Sequence, residues 1–175
     1  WPFKERGARC NEGLELLLAL WHGERTFQGR FHNFEDVSFG PLPAQRPHPP
    51  IYVGGSSDAA LKRAARYGDV WHPIKTPLAA LPDSQTKLQR FREEAGRGQE
   101  PLTIALKAPL LIKPSTPTDT PFGTVGAAQD VADTLLRYRD AGVDEWIFDF
   151  LPETHATAQE TVQRFADEVQ PLLNR

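Results

Sequence analysis

The apolar positions of the chain fall into short runs separated by stretches with helical spacing. Four runs have the length of strands, and apolar side chains recur every three or four positions after each run. The predicted strands are 51–53, 70–74, about 102–112 and 144–150; the predicted helices are about 58–67, 83–95, 127–140 and a last one that buries Ala158, Val162, Phe165, Val169 and Leu172. Repeated strand–helix order predicts an α/β protein with a parallel sheet, either open or closed into a barrel.

The first 50 residues follow a different pattern. Three leucines and Trp21 recur at helical spacing and predict a leading helix that ends at Gly23. Phenylalanines around Gly29 indicate either a short hairpin or an ordered loop, and prolines follow that hold the backbone extended. We expect a single domain over 1–175, with a leading helix at 1–23, an insertion at 24–50 and four strand–helix units at 51–175.

Composition narrows the class of protein. The chain has 175 residues, of which 39% are hydrophobic and 25% charged, as is typical of a soluble globular domain. The net charge of -3 and the scattered lysines and arginines argue against nucleic acid as a partner. A single cysteine, Cys10, favours a reducing, cytoplasmic location, and no apolar run is long enough to make a membrane a partner. The chain contains no Met, so we expect a processed, truncated or partly observed chain.

The stretch Gly54-Gly55-Ser56-Ser57 lies between the first predicted strand of the repeat and its helix. The first N–H groups of a helix lack partners and carry the positive end of the helix dipole, so a phosphate can bind there. Glycines would let it approach, and serines would add hydroxyl donors. In the other interpretation the glycines only make the turn, and Ser57 or Asp58 caps the helix. The spacing leaves both interpretations open.

Other polar residues stand at the ends of the predicted strands. His72 ends the second: it is either an exposed or structural histidine, or a site residue, because in α/β barrels that end faces the active site. Lys107 interrupts an apolar strand, where it must be paired, face a solvated mouth or lie at an exposed edge. Asp149 could contact a ligand or cap the next helix. The five histidines show no metal-ligand spacing, so we expect no metal site.

Longer motifs resemble those of the luciferase-like monooxygenase family. The central one is "QRPHPPIYVGGSSDAALKRAARYGDVWHP". It is preceded by "RGARCNEGLELLLALW" and "FQGRFHNFEDVSFGPLPAQ" and followed by "GAAQDVADTLLRYRDAGVDEWIFDF" and "TVQRFADEVQPLL". The family often has Asp-Gly-Trp where this chain has Asp69-Val70-Trp71.

The resemblance implies a fold, a cofactor and a site. The fold would be a (βα)8 TIM barrel, of which this chain resembles the C-terminal half, since a whole barrel needs about 250 residues. The cofactor would be FMN or a deazaflavin coenzyme of the F420 type, bound at Val53, Gly54, Gly55, Ser56, Ser57 and His72. No catalytic residue is implied, because the first four strands of similar enzymes carry most contacts to the flavin ring.

The implied function is that of a flavin- or deazaflavin-dependent oxidoreductase or monooxygenase acting on a small molecule. We expect this half to be inactive alone and to need either the N-terminal half or a second copy as a partner. The alternative is a non-catalytic half-barrel that associates with itself, in which the glycine turn is a vestigial or generic phosphate site.

Overall fold

The computed structural model describes residues 2–117, 122–150 and 154–174. The chain divides into two compact units, Trp1–Ile51 and Tyr52–Arg175. The single-domain organisation stays a prediction.

The first unit consists of a helix and a small hairpin. A 3-10 turn at Phe3–Glu5 leads into α1 (Arg6–Trp21), and Gly23 follows with a φ of 84°. Only glycine adopts that conformation without strain, so it ends the helix where the sequence predicted. Strands β1 (Phe27–Gln28) and β2 (Asn33–Phe34) pair antiparallel, which selects the hairpin over the ordered loop.

The second unit holds a parallel sheet with helices between its strands. The strands are β3 (Tyr52–Gly54), β4 (Val70–His72), β5 (Thr103–Ile112), β6 (Val125–Gly126) and β7 (Glu145–Phe150). The helices are α2 (Asp58–Tyr67), α3 (Leu81–Glu94), α4 (Ala128–Asp140), α5 (His155–Arg164) and α6 (Gln170–Leu173), with short 3-10 and π segments at Leu78–Ala80 and Phe165–Val169. The predicted α/β class with parallel pairing is confirmed.

The strands are ordered as they are along the chain. β3 pairs with β4, β4 with β5, and β5 with β7, while the two-residue β6 pairs with the end of β5. Right-handed crossovers between successive strands that advance in one direction place their helices on the same face. That face is buried, and its core includes Leu110, Ile112, Val131, Leu135 and Val169. The other face is the one that a closed barrel turns inward, and there Tyr52 is 46% exposed.

The residues that the last helical segment buries differ from those that the sequence predicted. Val169 is fully buried, but Val162 is 49% exposed and its neighbour Thr161 is buried instead. The prediction extended one helical spacing through the whole segment, whereas Phe165–Val169 forms a π turn. Such a turn adds a residue, so the buried position eight residues before Val169 is Thr161. The expectation for Val162 was therefore wrong.

Candidate functional site

The glycine turn connects the end of β3 with the start of α2. Gly55 has a φ of +98°, and a Cβ at this position would lie 3.1 Å from the Cβ of Ala60. The turn therefore requires glycine at position 55. A Cβ at Gly54 would meet only the carbonyl oxygen of His72, at an ordinary 3.7 Å. The turn geometry explains the second glycine and leaves the first without a structural reason.

Residues around β4 hold this turn in place. The indole Nε1 of Trp71 donates a 2.9 Å hydrogen bond to the carbonyl oxygen of Gly55. The N–H of Gly55 lies 3.4 Å from the carbonyl oxygen of His72. The hydroxyl of Ser56 is 3.5 Å from that of Thr76, at the limit of a hydrogen bond. The backbone is fixed, whereas the Ser56 hydroxyl is only weakly held.

Ser57 is the N-cap of α2. Its hydroxyl accepts a 3.3 Å hydrogen bond from the N–H of Ala60, and its backbone is extended. Asp58 follows in the first turn and complements the positive helix end. The capping interpretation is thus confirmed for Ser57. An anion at this helix end would share it with the Asp58 carboxylate.

His72 and Val53 lie beside the turn but present different groups to it. His72 pairs with Gly54 across the strands, and its Nδ1 lies 2.7 Å from the carbonyl oxygen of Ala105. A carbonyl only accepts, so Nδ1 carries a proton and Nε2 remains for a ligand. Val53 is buried on the opposite face of the sheet, so only its backbone belongs to the site.

Two polar contacts cross the less covered face of the sheet. The Lys107 ammonium lies 2.9 Å from the Asp149 carboxylate, so Lys107 is paired. Thr154, not Asp149, supplies the side-chain cap of α5, so the capping interpretation of Asp149 was wrong.

Sequence reasoning missed the second contact. The hydroxyl of Tyr52 donates a 2.9 Å hydrogen bond to Glu145, and this bond raises the pKa of Tyr52, with desolvation adding to it. The signal that could have revealed Tyr52 is its position next to buried Val53, because alternate residues of a strand face opposite ways.

Comparison with protein-family models identifies the family of this chain. The model described as luciferase-like monooxygenase matches residues 1–117. The chain belongs to the luciferase-like monooxygenase family. The match includes β3, the glycine turn, α2 and β4, and it confirms the resemblance that the sequence motifs indicated.

Luciferase-like relatives use two related cofactors. The chain is 41% identical over 112 residues to an F420-dependent glucose-6-phosphate dehydrogenase of Nakamurella multipartita, a match covering 61% of this chain and 32% of that protein. It is 42% identical over 69 residues to an FMNH2-dependent dimethylsulfone monooxygenase of Pseudomonas putida, which covers 39% of this chain and 19% of that protein. These matches span only part of each relative's length.

A solved structure of an F420-dependent secondary alcohol dehydrogenase has the same fold. It superposes with a TM-score of 0.79 at 16% identity, over 99% of this chain and 64% of that chain. The fold is therefore that of the luciferase-like TIM barrels, and this chain forms a part of such a barrel.

Within the described residues, no helix has the length and apolar character needed to cross a membrane. The same residues contain no group of three or more His, Cys, Asp or Glu side chains arranged to hold a metal ion.

Proposed function

We propose that this chain forms the phosphate-binding side of the cofactor site in a flavin- or deazaflavin-dependent oxidoreductase that acts on a small molecule. The phosphate would lie against the backbone of Val53, Gly54 and Gly55 and would accept hydrogen bonds from the hydroxyls of Ser56 and Ser57. The observation that carries the proposal is the turn itself, a glycine turn that joins the carboxyl end of a parallel strand to a helix N-terminus.

The space beside Gly54 would leave room for a phosphate to approach the turn. A side chain at this position would meet only one backbone oxygen, so the space next to the turn is open on that side. The weakly held Ser56 hydroxyl can reorient to donate to an anion there. The Asp58 carboxylate acts against binding. Because the Gly55 N–H already donates to the His72 carbonyl oxygen, the serine hydroxyls and the remaining N–H groups at the start of α2 would have to overcome this repulsion.

His72 would contact the cofactor beside the phosphate. Its Nδ1 is committed to the Ala105 carbonyl, and the Tyr52 ring meets the imidazole edge-on with 6.3 Å between centroids. These contacts fix the ring and leave Nε2 available to a ligand. The bound flavin or deazaflavin would supply hydride transfer or oxygen chemistry, while these residues bind and orient it.

Large side chains are exposed on the face of the sheet that a closed barrel turns inward, which supports a requirement for further strands. Ile74 is 51% exposed and Tyr52 is 46% exposed, although a closed barrel buries such positions. We infer that the other strands of a luciferase-like barrel cover this face and that turnover requires them. A second copy of this chain is the competing occupant, and sedimentation of the chain alone distinguishes the two: a dimer that buries this face supports self-association, and a monomer excludes it.

Parallel fluorescence titrations with FMN and with the deazaflavin coenzyme test the function. Saturable binding of one of them is expected and would identify the cofactor. Absence of binding by either at millimolar concentration, in a chain shown to be folded by circular dichroism, would contradict the proposal.

A further inference from the structure

Lys107 and Asp149 form an ion pair on the less covered face of the sheet, with 2.9 Å between the ammonium and the carboxylate. Lys107 is the only charged residue of β5, whose sequence is TIALKAPLLI. Its neighbours Leu106 and Ala108 are buried on the opposite face, where the helices pack. The strand therefore carries a single charge, on the side that the helices do not cover.

The strand register places this pair towards the carboxyl ends of the strands. Ile74 lies two residues after His72 and pairs with Lys107. Pro109 pairs with Asp149, so the Lys107 side chain extends along the sheet in the carboxyl direction to reach that carboxylate. The glycine turn follows the carboxyl end of β3. The ion pair and the proposed phosphate turn thus lie at the same end of a parallel sheet.

Two exposed isoleucines flank the ion pair. Ile74 lies beside Lys107 on one side, and Ile147 pairs with Lys107 on the other. The side chain of Lys107 is 31% exposed and that of Asp149 is 43% exposed, so a ligand can contact both charged groups. An apolar surface with a few polar groups at defined places is the usual composition of a small-molecule site.

The chemistry of the pair selects among ligands. The Lys107 ammonium has three N–H donors and directs one of them to Asp149, whose second carboxylate oxygen can accept from a ligand. An anion that Lys107 attracts is repelled by Asp149, and a cation meets the opposite combination. A hydroxyl group carries no charge and can accept from the ammonium while it donates to the carboxylate. The pair therefore favours a neutral hydroxyl over either kind of ion.

We propose that Lys107 and Asp149, together with Ile74 and Ile147, bind the substrate, and that this substrate is a neutral molecule with a hydroxyl group on a small apolar body. The hydroxyl contacts both charged side chains, and the apolar body lies against the two isoleucines. The assignment rests on the proposed function, because only a cofactor at the glycine turn makes the molecule bound here a substrate.

Titration of the whole chain with cyclohexanol, followed by amide chemical shifts, tests the preference for a neutral hydroxyl. Cyclohexanol should bind saturably and shift the amides of Ile74, Lys107, Ile147 and Asp149. Cyclohexanecarboxylate, an anion, and cyclohexylamine, a cation at neutral pH, have the same apolar body and should bind at least fivefold more weakly. Failure of cyclohexanol to bind at tens of millimolar, or equal binding of the three compounds, would overturn the proposal.

Single substitutions in the pair should change the preferred charge. Lys107→Met leaves the Asp149 carboxylate without its cation, so cyclohexylamine should become the best of the three ligands. Asp149→Asn leaves the Lys107 ammonium without its anion, so cyclohexanecarboxylate should become the best. Lys113→Met, at an exposed position directly after β5, is the control and should keep the preference for cyclohexanol. An ion pair with a purely structural role predicts no such exchange, and an unchanged order of affinities in the two folded variants would overturn the assignment.

Binding of FMN distinguishes a failure of this inference from a failure of the proposed function. Lys107→Met should leave the preference for FMN over riboflavin unchanged, because the phosphate turn belongs to β3 and α2. Loss of that preference in Lys107→Met would place the ammonium at the phosphate and overturn its assignment to the substrate. A chain that prefers cyclohexanol but binds no cofactor would contradict the proposed function, and with it the identification of the ligand as a substrate. A chain that binds the cofactor without preferring cyclohexanol would overturn only the inference about Lys107 and Asp149.

Discussion

The indole N–H of Trp71 donates its hydrogen bond to the carbonyl oxygen of Gly55, 2.9 Å away. Trp71 is completely buried in β4, and its neighbour His72 accepts from the N–H of the same glycine. Two adjacent residues of one strand thus fix both polar groups of Gly55. The conformation of the proposed phosphate turn is therefore coupled to the packing of the sheet behind it.

Removing the indole N–H should loosen the turn. Trp71→Phe leaves the Gly55 carbonyl without this donor and should lower the free energy of unfolding by about 1–3 kcal/mol, measured by urea denaturation. Trp146→Phe is the control, because Trp146 packs against the rings of Tyr138 and Phe148, and Phe retains an aromatic ring there. Equal stability of Trp71→Phe and the wild type would show that the bond does not fix the turn.

The two glycines of the turn should respond differently to alanine. Gly55→Ala forces a left-handed residue and a 3.1 Å contact with Ala60, so a loss of roughly 1–2 kcal/mol is expected. Gly54→Ala meets only an ordinary contact and should stay within about 0.5 kcal/mol of the wild type. Thermal unfolding of the pair measures the difference. Equal losses at both positions would contradict the geometry described for the turn.

Ser57 allows the cap to be separated from anion binding. Ser57→Ala removes the acceptor for the Ala60 N–H and should cost about 1 kcal/mol of stability. Ser57→Asp retains a capping oxygen and should preserve the stability, but its charge should repel a phosphate. We therefore expect Ser57→Asp to fold like the wild type and to bind cofactor at least tenfold more weakly. Unchanged cofactor affinity in Ser57→Asp would place the phosphate elsewhere.

Local signals explain why parts of the second unit could be predicted. The bounds of α2 follow from Ser57 before it and Gly68 after it, and the predicted helix 58–67 agrees with the structure. The turn before it was predictable for the same reason, because Gly55 and Ser57 act on their own neighbours. The π turn in the last helix has no such local signal, since packing of the whole segment on the core selects it.

The polar contacts across the sheet depend on register, which the sequence alone does not fix. Tyr52 and Glu145 are separated by 93 positions, and Lys107 meets Asp149 only because β5 and β7 pair in one particular register. Reasoning from single strands identified Lys107 and Asp149 as candidates but could not join them. It missed Tyr52 and Glu145 because both stand at the start of strands, away from the ends that the sequence analysis searched.

Glu12 should make the hairpin of the first unit sensitive to acid. The Glu12 carboxylate accepts from the N–H groups of Arg30, Phe31 and His32 at 2.7–2.8 Å. Desolvation raises the pKa of Glu12, but these bonds and the His32 ring together lower it below its ordinary value of 4.5. The pKa of Glu12 is lower in the folded chain than in the unfolded chain. The carboxylate therefore contributes its full stabilisation above the pKa of the unfolded chain, and this contribution is lost as the pH falls through the pKa of the folded chain.

Hydrogen exchange measures this contribution. The protection factors of the Arg30, Phe31 and His32 amides, which take the intrinsic pH dependence of exchange into account, should fall below about pH 4.5. In Glu12→Gln they should be lower already at neutral pH. Glu24→Gln, at an exposed position, is the control. Unchanged protection of the three amides in Glu12→Gln would show that the carboxylate does not hold the hairpin.

Titrations that compare FMN with riboflavin, which lacks the phosphate, in the wild type and in Gly54→Val test the phosphate site directly. The valine side chain would occupy the open space beside the turn without the strain that position 55 imposes. We expect the wild type to bind FMN at least tenfold more tightly than riboflavin, and this ratio to fall towards one in Gly54→Val at unchanged stability. If only the deazaflavin coenzyme binds, the same comparison is made with its phosphate-free analogue. Equal affinities in the wild type, or a ratio that Gly54→Val leaves unchanged, would contradict a phosphate site at Gly54–Ser57.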